Sequence, residues 1–81
     1  MISMNINKYE IQITRHAFIR SMQRGISPDI VETTLRSGKL KRFGKNNLRF
    51  HKEYKKFKVV CIGQIKGDVI KILTIIKNEK E

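Results

Sequence analysis

From Leu40 onward, apolar residues return at every second position, interrupted at "GKNN" (44–47) and "KGD" (66–68). A period of two marks a strand with one buried face, and breaks rich in glycine, asparagine and aspartate are turns. The C-terminal half of the chain is therefore expected to be an antiparallel meander. With Gly67-Asp68 as a two-residue turn, Lys66 faces Val69, Gln64 faces Lys71, Ile62 faces Leu73 and Val60 faces Ile75 on one side. On the other side Ile65 pairs with Ile70, Cys61 with Thr74 and Val59 with Ile76. A turn at Lys55-Lys56 sets Phe50 opposite Cys61 and Tyr54 opposite Phe57, so three strands agree on one core face. The second face then carries Arg49, His51 and Glu53. Beside them lies an apolar patch of Val60, Ile62, Leu73 and Ile75, edged by Lys58, Lys71 and Lys77.

The first half reads differently. In "KYEIQIT" the residues Tyr9, Ile11 and Ile13 alternate with polar ones, which predicts a half-buried strand, and Thr14 can then cap a helix. At 100° per residue Phe18, Ile19 and Met22 share the side expected to be buried. His16, Arg20 and Arg24 form a stripe roughly opposite, and Gly25 suits the left-handed residue that ends the helix. "ISPDIVETTLRSG" carries a denser set of helix signals: Ser27 as N-cap, Pro28 at the first position, Asp29 favourable to the helix dipole, and Ile26 placed to staple onto Val31. Ile30, Val31, Thr34 and Leu35 make its buried stripe and Gly38 closes it. The expected order is strand, two helices, then an antiparallel meander of about four strands, an α+β fold. A single domain over residues 1–81 is expected, burying roughly 60% of the surface of its unfolded chain.

Charge narrows the function. Eighteen Lys and Arg against seven Asp and Glu give +11, which favours polyanionic partners. Between Arg36 and Lys58 there are ten basic residues and one acidic, 10 − 1 = +9, so most of the excess lies in one segment. Lys39, Lys41, Arg42, Lys45, Lys52 and Lys58 are its candidate nucleic-acid contacts. The single Cys61 lies in the apolar run "KVVCIGQI", which suits a buried small hydrophobe and allows no internal disulfide. No apolar run reaches the roughly 20 residues that span a bilayer, and the N-terminus lacks a signal-peptide pattern, so the expected location is cytoplasmic with no membrane partner.

Two groups could carry chemistry. Arg49, His51 and Glu53 alternate on one strand, roughly 7 Å apart on one face. RNA cleavage without a metal needs a base for the 2′-hydroxyl proton, an acid for the leaving oxygen and a cation for the phosphorane charge, roles that Glu53, His51 and Arg49 match. The same trio also reads as an exposed strand face with a cross-strand Glu53–Lys58 pair. His16, Arg20 and Arg24 form the second group, which reads equally as the solvated face of a surface helix. One cysteine and two histidines 34 positions apart offer no metal-ligand spacing, so no metal or other cofactor is expected. Neither "GKNN" nor "GQIKGD" has the strand-to-helix setting of a phosphate loop. The second helix suits DNA reading poorly, since it exposes Glu32, Thr33 and Arg36 with Asp29 at its start.

"HAFIRSMQRGIS" resembles the opening of domain-of-unknown-function family 4258 of bacteria and archaea. There a His-Ala pair begins a helix with spaced arginines that ends in Arg-Gly-Ile-Ser. His16, Ala17, Arg20, Arg24, Gly25, Ile26 and Ser27 match that opening; Gly38 matches the end of the second helix and Thr74 in "ILTIIKN" a closing strand. The resemblance covers nearly the whole chain. That family is similar in layout to the RelE and ParE toxins of toxin-antitoxin pairs. The resemblance implies a toxin-like, metal-independent endoribonuclease that cleaves RNA by acid-base chemistry, with an acidic antitoxin, the ribosome or a second copy of the chain as partners. His16 and His51 are then the candidate proton-transfer groups, and Arg20, Arg24 and Arg49 hold the charge. The alternatives are a non-catalytic RNA- or ribosome-binding module on the same basic segment, or a basic domain that binds an acidic protein.

Overall fold

The computed structural model describes residues 2–6 and 8–79. The elements are β1 (Ile2–Ile6), β2 (Tyr9–Ile13), α1 (Arg15–Gln23), α2 (Pro28–Ser37), β3 (Lys39–Phe43), β4 (Asn47–Glu53), β5 (Phe57–Lys66) and β6 (Val69–Glu79). The fold is α+β. The six strands form one mixed sheet in the order β1-β2-β6-β5-β4-β3. The expected four-stranded antiparallel meander is thus too small a description. Strands β3 to β6 run antiparallel in succession, but β2 adds to β6 in parallel and brings β1 with it as an antiparallel partner. "ISMNI", which spans β1, was not expected as a strand, because its alternation is too short to stand out from the N-terminal context.

Both helices are placed by their caps. Thr14 Oγ1 accepts from the Ala17 amide at 3.2 Å and Ser27 Oγ accepts from the Ile30 amide at 3.3 Å, each cap contributing about 1 kcal/mol. At the end of α1 the Ile26 amide donates to the Ser21 carbonyl and the Gly25 amide to the Met22 carbonyl. That Schellman pair needs the left-handed φ of 78° at Gly25. Ile26 and Val31, both 1% exposed, are buried in the core on either side of the Ser27 cap.

The core lies on the face that carries the helices. Ile11, Ile13, Leu48, Phe50, Val59, Cys61, Ile70, Ile72 and Ile75 rise from the sheet to meet Ala17, Ile26, Val31 and Leu35. Each fully buried aliphatic side chain contributes about 1.5–3 kcal/mol by leaving water. Thr34 is buried without loss, because its hydroxyl donates to the Ile30 carbonyl at 2.8 Å and lies 2.9 Å from Tyr54 Oη. Cys61 is fully enclosed, and burial pushes its thiol up to about 12, which leaves it protonated and inert.

Two expectations are corrected by packing. The buried face of α1 is not Phe18, Ile19 and Met22: Ala17 and Ser21 turn inward, Phe18 packs at the margin, and Ile19 and Met22 are 38% and 47% exposed. Small side chains let the helix lie close on the sheet, so apolarity alone misplaces the face. The second correction concerns register. From Lys66↔Val69 to Gly63↔Ile72 the β5–β6 pairing follows the Gly67-Asp68 turn, and then a bulge sets Ile62 opposite Thr74, Cys61 opposite Ile75 and Val60 opposite Ile76. Leu73 is the extra residue. Ile75 therefore points into the core, and Lys77 lies on the helix side, with its ammonium 4.9 Å from the Phe57 ring centre. The expected patch of Val60, Ile62, Leu73 and Ile75 accordingly loses Ile75, and Thr74 and Ile76 take the register positions beside Ile62 and Val60.

Gly38 joins α2 to β3 at a φ of −74°, so close approach and not backbone freedom requires glycine there. A Cβ at Gly38 would sit 2.3 Å from the Thr34 carbonyl oxygen and 2.8 Å from that of His51. Gly38→Ala should destabilise the protein by about 2 kcal/mol through overpacking, read as a lowered urea midpoint at unchanged slope. A change below about 0.5 kcal/mol would show that β3 does not enter the sheet this tightly.

Candidate nucleic-acid interface

Because α1 and α2 cover one side, the other side of the sheet is open. Side chains opposite one another across strands share a face. The pairings Lys41↔Arg49↔Ile62↔Thr74 and Lys39↔His51↔Val60↔Ile76 therefore form two rows across β3, β4, β5 and β6, and Glu53↔Lys58 adds a third. Arg49, His51 and Glu53 do fall together, as the alternation on β4 predicts. His51 is central. It lines one shallow cavity of about 270 Å³ with Lys41, Arg49, Lys58 and Val60, and a second of about 240 Å³ with Lys39, Glu53 and the end of α2. Phe43, 42% exposed beside the β3–β4 turn, has the Arg49 guanidinium 6.0 Å from its ring centre. This cation–π pair was not foreseen, since an aromatic in an edge strand carries no sign in sequence that it stays exposed.

The cations act on His51. Its pKa is lowered from the ordinary 6.5, first by partial removal from water and then by Lys58, Arg49, Lys39 and Lys41. At neutral pH it is a neutral imidazole, suited to accept a proton or to donate one hydrogen bond. The ion pairs Arg36–Glu32 and Lys77–Glu79 involve no cation of this cavity. Lys39, Lys41, Arg49 and Lys58 outnumber Glu53 on the open face, which makes it a positive surface.

Other basic residues are distributed elsewhere. Lys52 points to the helix side and donates to Ser37 Oγ at 3.0 Å, Arg42 pairs with Leu48 on that same side, and Lys45 lies in the exposed β3–β4 turn. Of the six expected nucleic-acid contacts, Lys39, Lys41 and Lys58 share the open face, whereas Arg42 and Lys52 do not.

His16, Arg20 and Arg24 occupy a different place. They line a cleft of about 240 Å³ between α1 and β6, with Leu73, Thr74 and Ile75 as its other wall. The pairing of β2 with β6 stops at Ile13↔Ile72, where the chain turns into α1, so the edge of β6 beyond Ile72 faces the helix. Arg24 Nη1 donates to the Ile75 carbonyl at 2.7 Å, satisfying an edge group that β2 no longer reaches. The two histidines do not share a cavity. Ile62 and Thr74 stand between Arg49 and the cleft, about 10 Å at the usual spacing of strands. No three His, Cys, Asp or Glu side chains among the described residues are grouped to share a metal ion, and no described helix is long and apolar enough to cross a membrane.

No family profile, curated protein or solved structure matches the chain.

The ring of cations makes His51 a reporter. In the folded protein its NMR titration should have a midpoint below 6.5, and Lys58→Ala should move it upward. Since the folded pKa is depressed, the unfolded state takes up more protons as pH falls through this window. His51 therefore adds nothing to instability above 6.5, and stability is lost below it, down to the lowered value. A midpoint at or above 6.5 would show that the cations lie farther from the ring than the structure has them.

Proposed function

We propose that this protein binds single-stranded RNA across the open face of its sheet, in the cytoplasm. The supporting observation is the gathering of Lys39, Lys41, Arg49 and Lys58 around His51. Phosphates would meet the lysines and Arg49, and bases would meet Phe43, Val60, Ile62 and Ile76. That mixture of cations with an aromatic and aliphatic floor suits a strand whose bases are not hidden in a duplex.

A second reading is a toxin-like, metal-independent endoribonuclease with the RelE-like layout, and one observation favours it. Arg49, His51 and Glu53 stand on the same face of β4, and the lowered pKa of His51 supplies a neutral imidazole at physiological pH. That protonation state suits a base for the 2′-hydroxyl better than the acid role expected for His51. Arg49 would hold the phosphorane charge, and losing it should cost about 3 kcal/mol in the barrier.

Both readings are tested with purified protein and a fluorescent oligoribonucleotide. Binding should weaken steeply with salt, and Lys41→Ala should reduce the logarithmic salt slope by about 0.7, the share of one phosphate on a single strand. Glu32→Gln, on the exposed surface of α2, should leave the slope unchanged. RNA affinity that is indifferent to salt and to Lys41 would overturn the binding surface. Incubation with cellular RNA in the presence of EDTA separates the second reading: cleavage that disappears in His51→Ala while binding persists is the enzyme, and intact RNA with binding is the module.

A further inference from the structure

We infer that the cleft between α1 and β6 is a separate anion site that holds the phosphoryl group of a phosphate ester. The inference does not rest on the open face. Its first support is charge without compensation. Arg20 and Arg24 lie one helical turn apart, where like charges repel, and among the described residues neither is paired with a carboxylate. The walls of the cleft, His16, Arg20, Arg24, Leu73, Thr74 and Ile75, include no acidic residue.

The second support is preorganisation. Ala17 and Ser21 hold α1 against the sheet, so the exposed stripe of His16, Arg20 and Arg24 runs along β6. Arg24 is fixed by its 2.7 Å bond to the Ile75 carbonyl, which uses one of its five donors and leaves the others to meet an anion. The bulge at Leu73 delivers Thr74, whose hydroxyl can donate to a phosphoryl oxygen, to the same cavity. Arginine forks and a hydroxyl match the geometry of a phosphate better than that of a single carboxylate, because a phosphoryl group presents three oxygens to them. Leu73, 39% exposed at the wall, offers apolar surface to the ribose or base carried by the ester. A space of about 240 Å³ admits such a group but not a folded polymer. The end of an RNA chain and a free nucleotide share this chemistry.

The test is an NMR titration of the full chain with inorganic phosphate. The His16 ring and the Thr74 amide should shift together along one saturating curve. Arg20→Gln should weaken that curve about tenfold, the scale of one charge-assisted contact, and Arg24→Lys should weaken it while keeping a donor for the Ile75 carbonyl. Arg36→Gln removes the same charge from α2 and should leave the midpoint where it was. Shifts that fail to saturate, or that are equal in Arg20→Gln and Arg36→Gln, would overturn the site as mere attraction to a basic protein. Lys41→Gln separates the two surfaces: it should weaken RNA binding without moving the phosphate midpoint at His16, so either surface can fail alone. Two further probes identify the source. A gain from a 5′-phosphate on an oligoribonucleotide that vanishes in Arg20→Gln assigns the RNA end. Saturation by a nucleoside monophosphate with no gain on RNA assigns the free nucleotide.

Discussion

One extra residue in β6 decides what each half of the longest strand presents to either side. Before Leu73 the even positions Ile70 and Ile72 face the core; after it the odd position Ile75 does. A strand without the bulge would turn Ile75 into water and Thr74 into the apolar interior, where an unpaired hydroxyl costs more than a hydrogen bond returns. The bulge also lies where β2 leaves the sheet, so the irregular backbone and the loss of a neighbouring strand coincide. Arg24 reaches that gap and closes it at the Ile75 carbonyl. The core, the cleft and the polarity of the second face all follow from this single offset.

The placement of charge follows from the placement of the helices. With α1 and α2 both on one side, the sheet buries Leu48, Phe50, Val59 and Cys61 there and leaves Arg49, His51 and Lys58 on the other. A basic face of this kind repels itself. Its cost is visible at His51, whose protonated form is disfavoured first by partial removal from water and then by four neighbouring cations. An arriving anion would relieve that repulsion, which is the physical basis of the proposed binding surface. The cleft at α1 has the same character on a smaller scale, with two arginines and no acid.

Much of the architecture was legible in local chemistry. Thr14, Ser27, Pro28, Gly25 and Gly67 act as caps and turns because each satisfies or permits something within four residues of itself. The trio Arg49, His51 and Glu53 was legible for a similar reason, since alternation on one strand needs no partner to define a face. The buried face of α1 was not, because Ala17 and Ser21 announce close packing only once the sheet they approach is known. Lys77 was misplaced by the bulge, whose one mark in the sequence is the lone Gly63 within β5, and β1 was too brief a pattern to read. The separation of His16 from His51 lay beyond the sequence altogether.

What the amino-acid sequence determined by itself is therefore the set of elements apart from β1, the turns between them, the alternation that divides β4 and β5 into an apolar and a basic side, and the concentration of positive charge between Arg36 and Lys58. These depend on contacts between near neighbours. Tertiary structure alone decided that β2 joins β6 in parallel, that the pairing slips at Leu73, and that the exposed arginine stripe of α1 borders a cleft against β6. Each of those depends on which distant strand supplies the hydrogen bonds, and backbone groups carry no mark of their partner until the core has formed.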